Sequence, residues 1–202
     1  MRKVLYTQRV EIVESYQERR DCGDQRIPAF IWACGYLPVP IPNIGRQAEK
    51  YFADEKPAGI ILTGGNSLVK YGGSAPERDD TDRCLLGTAV RENIPLYGFC
   101  RGMQSILDYF GVELQEIEGH IGGGHTVSGI WGEIHVNSYH SLGTKAVNDE
   151  FAATALSLDG VVEGIEHKKY AIIGTMWHPE REAPFRENDV LRVQTLFNKS
   201  EI

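Results

Sequence analysis

Hydrophobic positions along the chain fall into two patterns. Short continuous apolar runs at 4–7, 59–63 and 95–99 read as buried strands. Residues 37–41 read as a further strand, but Pro38 and Pro40 cannot donate to a ladder, so they mark an edge. Between these runs the spacing turns helical. It predicts helices over 25–33, where Ile27, Phe30 and Ile31 form the stripe, and over 46–53, 79–92 and 103–110. Residues 67–77 read as loop. Strands alternating with helices imply a parallel sheet with right-handed crossovers. The second half differs: strand-like runs at 134–136, 154–156, 161–166 and 171–177 have no long helix between them, which predicts an antiparallel extension. A helix over 188–198 closes the chain. No repeat, low-complexity tract or linker interrupts this pattern. The expectation is one α/β domain over residues 1–202, with a mostly parallel central sheet flanked by helices and an antiparallel extension in the C-terminal half.

Composition narrows the function classes. Of the 202 residues, 42% are hydrophobic and 24% charged, as in ordinary globular domains. The net charge of −7 speaks against a surface that tracks nucleic-acid phosphates. No apolar stretch approaches the roughly 18 residues that span a bilayer. Residues 1–8 lack the apolar core of a signal peptide. Cys22, Cys34, Cys84 and Cys100 show no paired metal spacing, so a reduced, cytoplasmic setting is expected.

One short stretch carries the chemistry. Gly98-Phe99-Cys100-Arg101-Gly102 ends a strand and opens a helix. A chain that reverses this sharply strains its turn residue, and side chains on either side would clash, hence the two glycines. This is a nucleophile elbow with sulfur in place of oxygen. It lifts the thiol above the carboxyl edge of the sheet, where the positive end of the helix favours a thiolate. A base and its orienter are expected in His178-Pro179-Glu180. On an extended chain His178 and Glu180 point the same way, so the carboxylate can hold the imidazole. Leu62-Thr63-Gly64-Gly65 closes another parallel strand with a turn that can offer an N–H to a developing oxyanion, and the N–H of Arg101 is a second donor.

Gly98-Phe99-Cys100-Arg101-Gly102-Met103-Gln104, Leu62-Thr63-Gly64-Gly65 and His178-Pro179-Glu180 together resemble the class I glutamine amidotransferase superfamily, whose fold is flavodoxin-like. The Cys-Arg-Gly-Met-Gln form, with Val136-Asn137-Ser138-Tyr139-His140, is most similar to its γ-glutamyl hydrolase branch, which includes γ-glutamyl-γ-aminobutyrate hydrolases. The resemblance implies a triad of Cys100, His178 and Glu180, with oxyanion donors at the backbone of Gly65 and Arg101. It implies that Gln104 and the backbone of Ser141 and Leu142 hold the glutamyl group. The activity implied is hydrolysis of a γ-glutamyl amide through a thioester, with release of glutamate and no cofactor. The substrate implied is a small conjugate, either γ-glutamyl-γ-aminobutyrate-like or a γ-glutamyl nucleotide phosphoramidate of capsule biosynthesis. Two other readings stay open: a glutaminase subunit that passes ammonia to a separate synthetase, and a non-catalytic binding module on the same fold. Homo-oligomer formation also stays open.

The remaining motifs yield expectations only. His120, His125, His135 and His140 fit no standard zinc spacing, so no metal is expected. The glycines at 122–124 suggest a mobile loop that would put His120 or His125 at the acceptor pocket. Lys70, Tyr71 and Arg78 are expected to reach an anionic leaving group from the 67–77 loop. Cys22, Cys34 and Cys84 are expected to be inert.

Overall fold

A computed structural model describes residues 1–198. In chain order the elements are β1 (Lys3–Thr7), β2 (Arg9–Val13), β3 (Glu18–Cys22), α1 (Arg26–Ala33), β4 (Leu37–Ile41), α2 (Ala48–Glu55), β5 (Gly59–Leu62), α3 (Pro76–Glu92), β6 (Leu96–Phe99) and α4 (Arg101–Tyr109). There follow β7 (Gln115–Glu116), β8 (Ile121–Gly129), β9 (Gly132–Tyr139), β10 (Leu142–Gly143), β11 (Phe151–Ser157), β12 (Val162–His167), β13 (Ile172–Thr175) and α5 (Glu187–Asn198).

Nine strands form one sheet in the order β4-β1-β5-β6-β13-β12-β11-β8-β9. The first five run parallel, and from β13 onward each neighbour is antiparallel. The α/β architecture with an antiparallel extension is as expected, and β4, with its prolines, is an edge strand. Strand β13 joins the two halves, parallel to β6 on one side and antiparallel to β12 on the other.

The period-two alternation of the parallel strands separates two cores. Leu5, Ile60 and Leu62 pack with Leu85, Leu96, Met103 and Ile106 on the face covered by α3 and α4. Val4, Tyr6, Ile61 and Tyr97 pack on the other face with Phe30 of α1 and Val193 and Phe197 of α5.

Three regions depart from the sequence reading. Helix α3 begins at Pro76 rather than residue 79, because proline suits the first helical position and Glu77 and Asp79 complement the helix's positive end. Residues 121–129 form strand β8, not a mobile loop. The glycines there admit close neighbours: a Cβ at Gly124 would lie 2.6 Å from the His135 ring, and one at Gly129 would lie 1.9 Å from the carbonyl oxygen of Thr154. Residues 9–22 fold into the β2–β3 hairpin despite their charge. Side chains pin it: Asn66 bonds Val10 N and O across the gap, Arg19 reaches Glu77 and the carbonyl of Ser74, and Asp21 receives Asn43.

Candidate active site

Strands β6 and β13 lie side by side in register, Thr175 opposite Phe99. Whatever follows them leaves the same carboxyl edge together. Cys100 follows β6, and its N–H donates to the carbonyl of Thr175 at 2.8 Å. His178 follows β13 by three residues. This shared exit brings two residues far apart in sequence to one spot.

Cys100 has φ +51° and ψ −113°, a conformation that L-residues avoid. Its flanking glycines are required by close approach. A Cβ at Gly98 would lie 2.6 Å from the backbone of Gly102, and one at Gly102 would lie 2.0 Å from the carbonyl oxygen of Leu62. The elbow is therefore packed directly against the end of β5.

His178 and Glu180 are both buried. Nδ1 of His178 bonds Oε1 of Glu180 at 2.7 Å, leaving Nε2 for the thiol side. Burial pulls the His178 imidazole down, but Cys100 first and then Glu180 outweigh it and hold the ring at about 9. This arrangement can support a thiolate beside an imidazolium.

Several contacts fix the ring that sequence reasoning left unassigned. Asn137 donates to the His178 carbonyl at 2.9 Å and accepts from the His178 N–H at 2.9 Å. Phe99 and Tyr139 each meet the ring edge-on, with centroids 5.6 Å away. Gly64 faces it so closely that a Cβ there would lie 2.6 Å from Cε1. Asn137 stood in the sequence beside the segment expected to hold a glutamyl group, but its partner lies 41 residues away, beyond the reach of local patterning.

Gly65 has φ +86° and lines the Cys100 cleft. Arg101 is the first residue of α4, so its N–H is one of those a helix leaves without an internal acceptor. The Arg101 side chain turns away from the cleft to Asp79, Asp82 and Ser105. Arg78 is wholly buried, which corrects the expectation that it meets a leaving group. Its guanidinium donates to the carbonyls of Thr63, Gly64 and Gly65. Lys70 is likewise committed, to Asp108 and Glu113, and Tyr71 to Glu113 and the N–H of Leu114.

Gln104, Ser141 and Leu142 line the cleft with Cys100, Tyr139, His140 and Arg181. Gln104 Nε2 donates to the Leu142 carbonyl at 3.1 Å, and the Ser141 carbonyl accepts from Ile117 N at 2.9 Å. A second cleft behind His178 is lined by Arg9, Cys22, Gly23, Asp24, Gly65 and Arg181, among others. Arg9 lies over Gly65, 3.0 Å from where a Cβ there would stand. The hairpin therefore overhangs the Gly64–Gly65 turn. Cys34 is buried, and that burial pushes its thiol up to about 12, in keeping with an inert role.

Comparison with known proteins fits this arrangement. The glutamine amidotransferase class-I family model matches residues 30–196. The chain belongs to this family. It is 29% identical over 196 residues to the gamma-glutamyl-CDP-amidate hydrolase of Campylobacter jejuni, covering 92% of this chain and 94% of that one. It is 28% identical over 199 residues to the gamma-glutamyl-gamma-aminobutyrate hydrolase of Escherichia coli O157:H7, covering 78% and 77% respectively. A glutamine amidotransferase of Thermotoga maritima superimposes with a TM-score of 0.66 at 15% identity, over 99% of this chain and 85% of that one. No helix among the described residues is long and apolar enough to cross a membrane.

His120 and His125 are not in the cleft, contrary to expectation. Both turn onto the buried carboxylate of Glu163, as does His140, while His135 stays exposed on β9.

Proposed function

We propose that this member of the class I glutamine amidotransferase family hydrolyses a γ-glutamyl amide through a thioester on Cys100. The chain is a hydrolase of amide bonds, in keeping with its γ-glutamyl hydrolase relatives. The observation that carries the cysteine mechanism is the line Cys100–His178–Glu180: a thiol on a strained elbow, an imidazole held at about 9 and a carboxylate 2.7 Å from Nδ1.

The Cys100 sulfur attacks the γ-carbonyl carbon and the carbonyl oxygen becomes an oxyanion. The N–H groups of Gly65 and Arg101 stabilise it. His178 gives its proton to the departing nitrogen, the C–N bond breaks, and the glutamyl group remains as a thioester. Water then attacks the thioester carbonyl and His178 takes its proton. The C–S bond breaks, which releases glutamate and restores the thiolate. Gln104 and the Ser141–Leu142 segment hold the glutamyl end, Gln104 acting partly by bracing the Leu142 carbonyl.

The leaving group is an anionic nucleotide phosphoramidate. Two features support this choice over γ-aminobutyrate: Arg9 and Arg181 line the cleft behind His178, and the Campylobacter relative is matched across nearly its whole length. Guanidinium groups suit phosphate oxygens. The test is glutamate release from a γ-glutamyl nucleotide phosphoramidate, γ-glutamyl-γ-aminobutyrate and glutamine, compared by kcat/KM. The phosphoramidate should be best. A preference for glutamine, with stimulation by a copurifying synthetase, would favour the ammonia-donor reading. Release from none of them would overturn the proposal.

A further inference from the structure

A second constellation lies outside the triad. Nδ1 of His120, Nε2 of His125 and Nε2 of His140 stand 3.1, 3.3 and 3.4 Å from the same atom, Oε1 of Glu163. His120, His140 and Glu163 are buried, and His125 is largely so. These contacts are close, yet none has hydrogen-bond geometry. All three ring nitrogens and both Glu163 oxygens lack a hydrogen-bond partner. A buried polar group without a partner is costly, and here five such atoms face one another.

The outer contacts of two rings decide which nitrogens carry protons. Nε2 of His120 bonds Oδ2 of Asp159 at 3.3 Å, and Nδ1 of His140 bonds the Leu142 carbonyl at 3.2 Å. Both partners only accept, so these nitrogens hold the N–H. In neutral His120 and His140, the nitrogens that face Glu163 are then bare lone pairs aimed at a carboxylate oxygen. Lone pairs repel across such distances unless a positive charge sits among them. Protonating all three rings would bury three cations around one carboxylate. One divalent cation supplies the charge and gives His120, His125 and the Glu163 carboxylate a shared partner.

The geometry suits that cation. Zinc–nitrogen and zinc–oxygen bonds of about 2.0–2.1 Å place tetrahedral ligands about 3.3 Å apart, which matches the contacts of His120 and His125 to Glu163 at 3.1 and 3.3 Å. The ligand atoms of His120, His125 and Glu163 all lie within 4.8 Å of one another. Metal-binding histidines usually give their second N–H to a carboxylate or carbonyl, as His120 does to Asp159. Asp159 is itself fixed by Ser157 Oγ at 2.5 Å.

We propose that His120, His125 and Glu163 form a site for one divalent transition-metal ion of the zinc class, with His140 packed against the carboxylate beside it. The ligand set, imidazole with one carboxylate and no thiolate, suits Zn²⁺ and admits Co²⁺ or Ni²⁺. The site ties the segment before β8, β8 itself and β12 together. His140 also lines the Cys100 cleft, and its Nδ1 shares the Leu142 carbonyl with Gln104. His140, against Glu163, would therefore link the site to the segment assigned to the glutamyl group without any ligand touching the reacting atoms. Spacing in the sequence hid this site because Glu163 lies 38 residues beyond His125 and is brought in by the sheet.

The full chain, stripped with a chelator and dialysed, should take up a single Zn²⁺ by calorimetric titration and gain thermal stability from it. Co²⁺ should bind with the intense visible bands of a tetrahedral site. The Cys100→Ala chain should bind equally, since the thiol is not a ligand. Glu163→Gln should abolish binding. Because that variant alters a buried group, Asp159→Asn serves as the second: its half-exposed carboxylate only orients His120, and its loss should weaken affinity about 10–100-fold. His135→Ala should bind as the parent does. The proposal is overturned if the stripped chain binds no Zn²⁺, if Cys100→Ala abolishes uptake, or if Asp159→Asn and His135→Ala bind alike.

Discussion

The guanidinium of Arg78 holds the carbonyl of Gly65. It also holds the carbonyls of Thr63 and Gly64, the hydroxyl of Thr63 and the amide oxygen of Asn66. A turn whose carbonyls are all pulled to one side aims its N–H groups to the other, since the C=O and N–H of a trans peptide point in opposite directions. In the proposed mechanism Arg78 is thus a positioning residue for the turn that donates to the oxyanion. Arg78→Lys keeps the charge but has no planar fork to span these acceptors. Its kcat should fall about 10²–10³-fold, the cost of losing an oxyanion donor, while KM changes little. Steady-state kinetics beside a thermal melt make the check. An unchanged kcat, or a loss confined to KM, would refute this role.

The His178 ring predicts a pH profile. It sits at about 9 against an ordinary 6.5, so the folded chain binds a proton that the unfolded chain has lost between those values. The resulting stabilisation is complete below pH 6.5 and is lost as pH rises through 9. Likewise kcat/KM should hold up to about pH 9 and fall above it as the imidazolium loses its proton. Glu180→Gln removes one of the groups that raise the ring. Its alkaline limb should shift to lower pH and its kcat should fall, by up to the ~10⁴-fold seen when a serine-protease triad loses its acid. An alkaline limb that stays in place in Glu180→Gln would show that another group sets it.

Packing at the elbow predicts a sharp asymmetry among glycines. Gly102→Ala would drive a methyl group into the Leu62 carbonyl at 2.0 Å. It should destabilise the chain by more than ~4 kcal/mol or prevent folding. Gly123→Ala, where a Cβ meets nothing within 4 Å, should stay within ~0.5 kcal/mol of the parent. Urea unfolding measures both, and comparable losses would contradict the packing account.

Much of this site was legible in the sequence because its signals are local. The glycines around Cys100, the two-residue spacing of His178 and Glu180, and the glycine pair after β5 each reflect a constraint within a few residues. Arg78 was misread because its partners lie 12–15 residues away, and a loop-border arginine looks solvated until the loop is folded over it. Asn137 and Glu163 were missed for the same reason, since each finds its partners across the sheet. The β2–β3 hairpin escaped notice because Glu18-Arg19-Arg20-Asp21 has no apolar face, and what holds it is pairing and ion contacts with neighbouring loops. Strand β8 was taken for a mobile loop because composition cannot distinguish glycines that loosen a chain from glycines that let a neighbour approach.

The central claim is that the glutamyl group becomes covalently attached to the Cys100 sulfur. Rapid acid quench of the enzyme during turnover of a γ-glutamyl amide, followed by intact and peptide mass spectrometry, tests it most directly. The account predicts a glutamyl adduct on the peptide carrying Cys100, absent from Cys100→Ala, which should fold yet release no glutamate. Glutamate release by Cys100→Ala at a rate near that of the parent would contradict it.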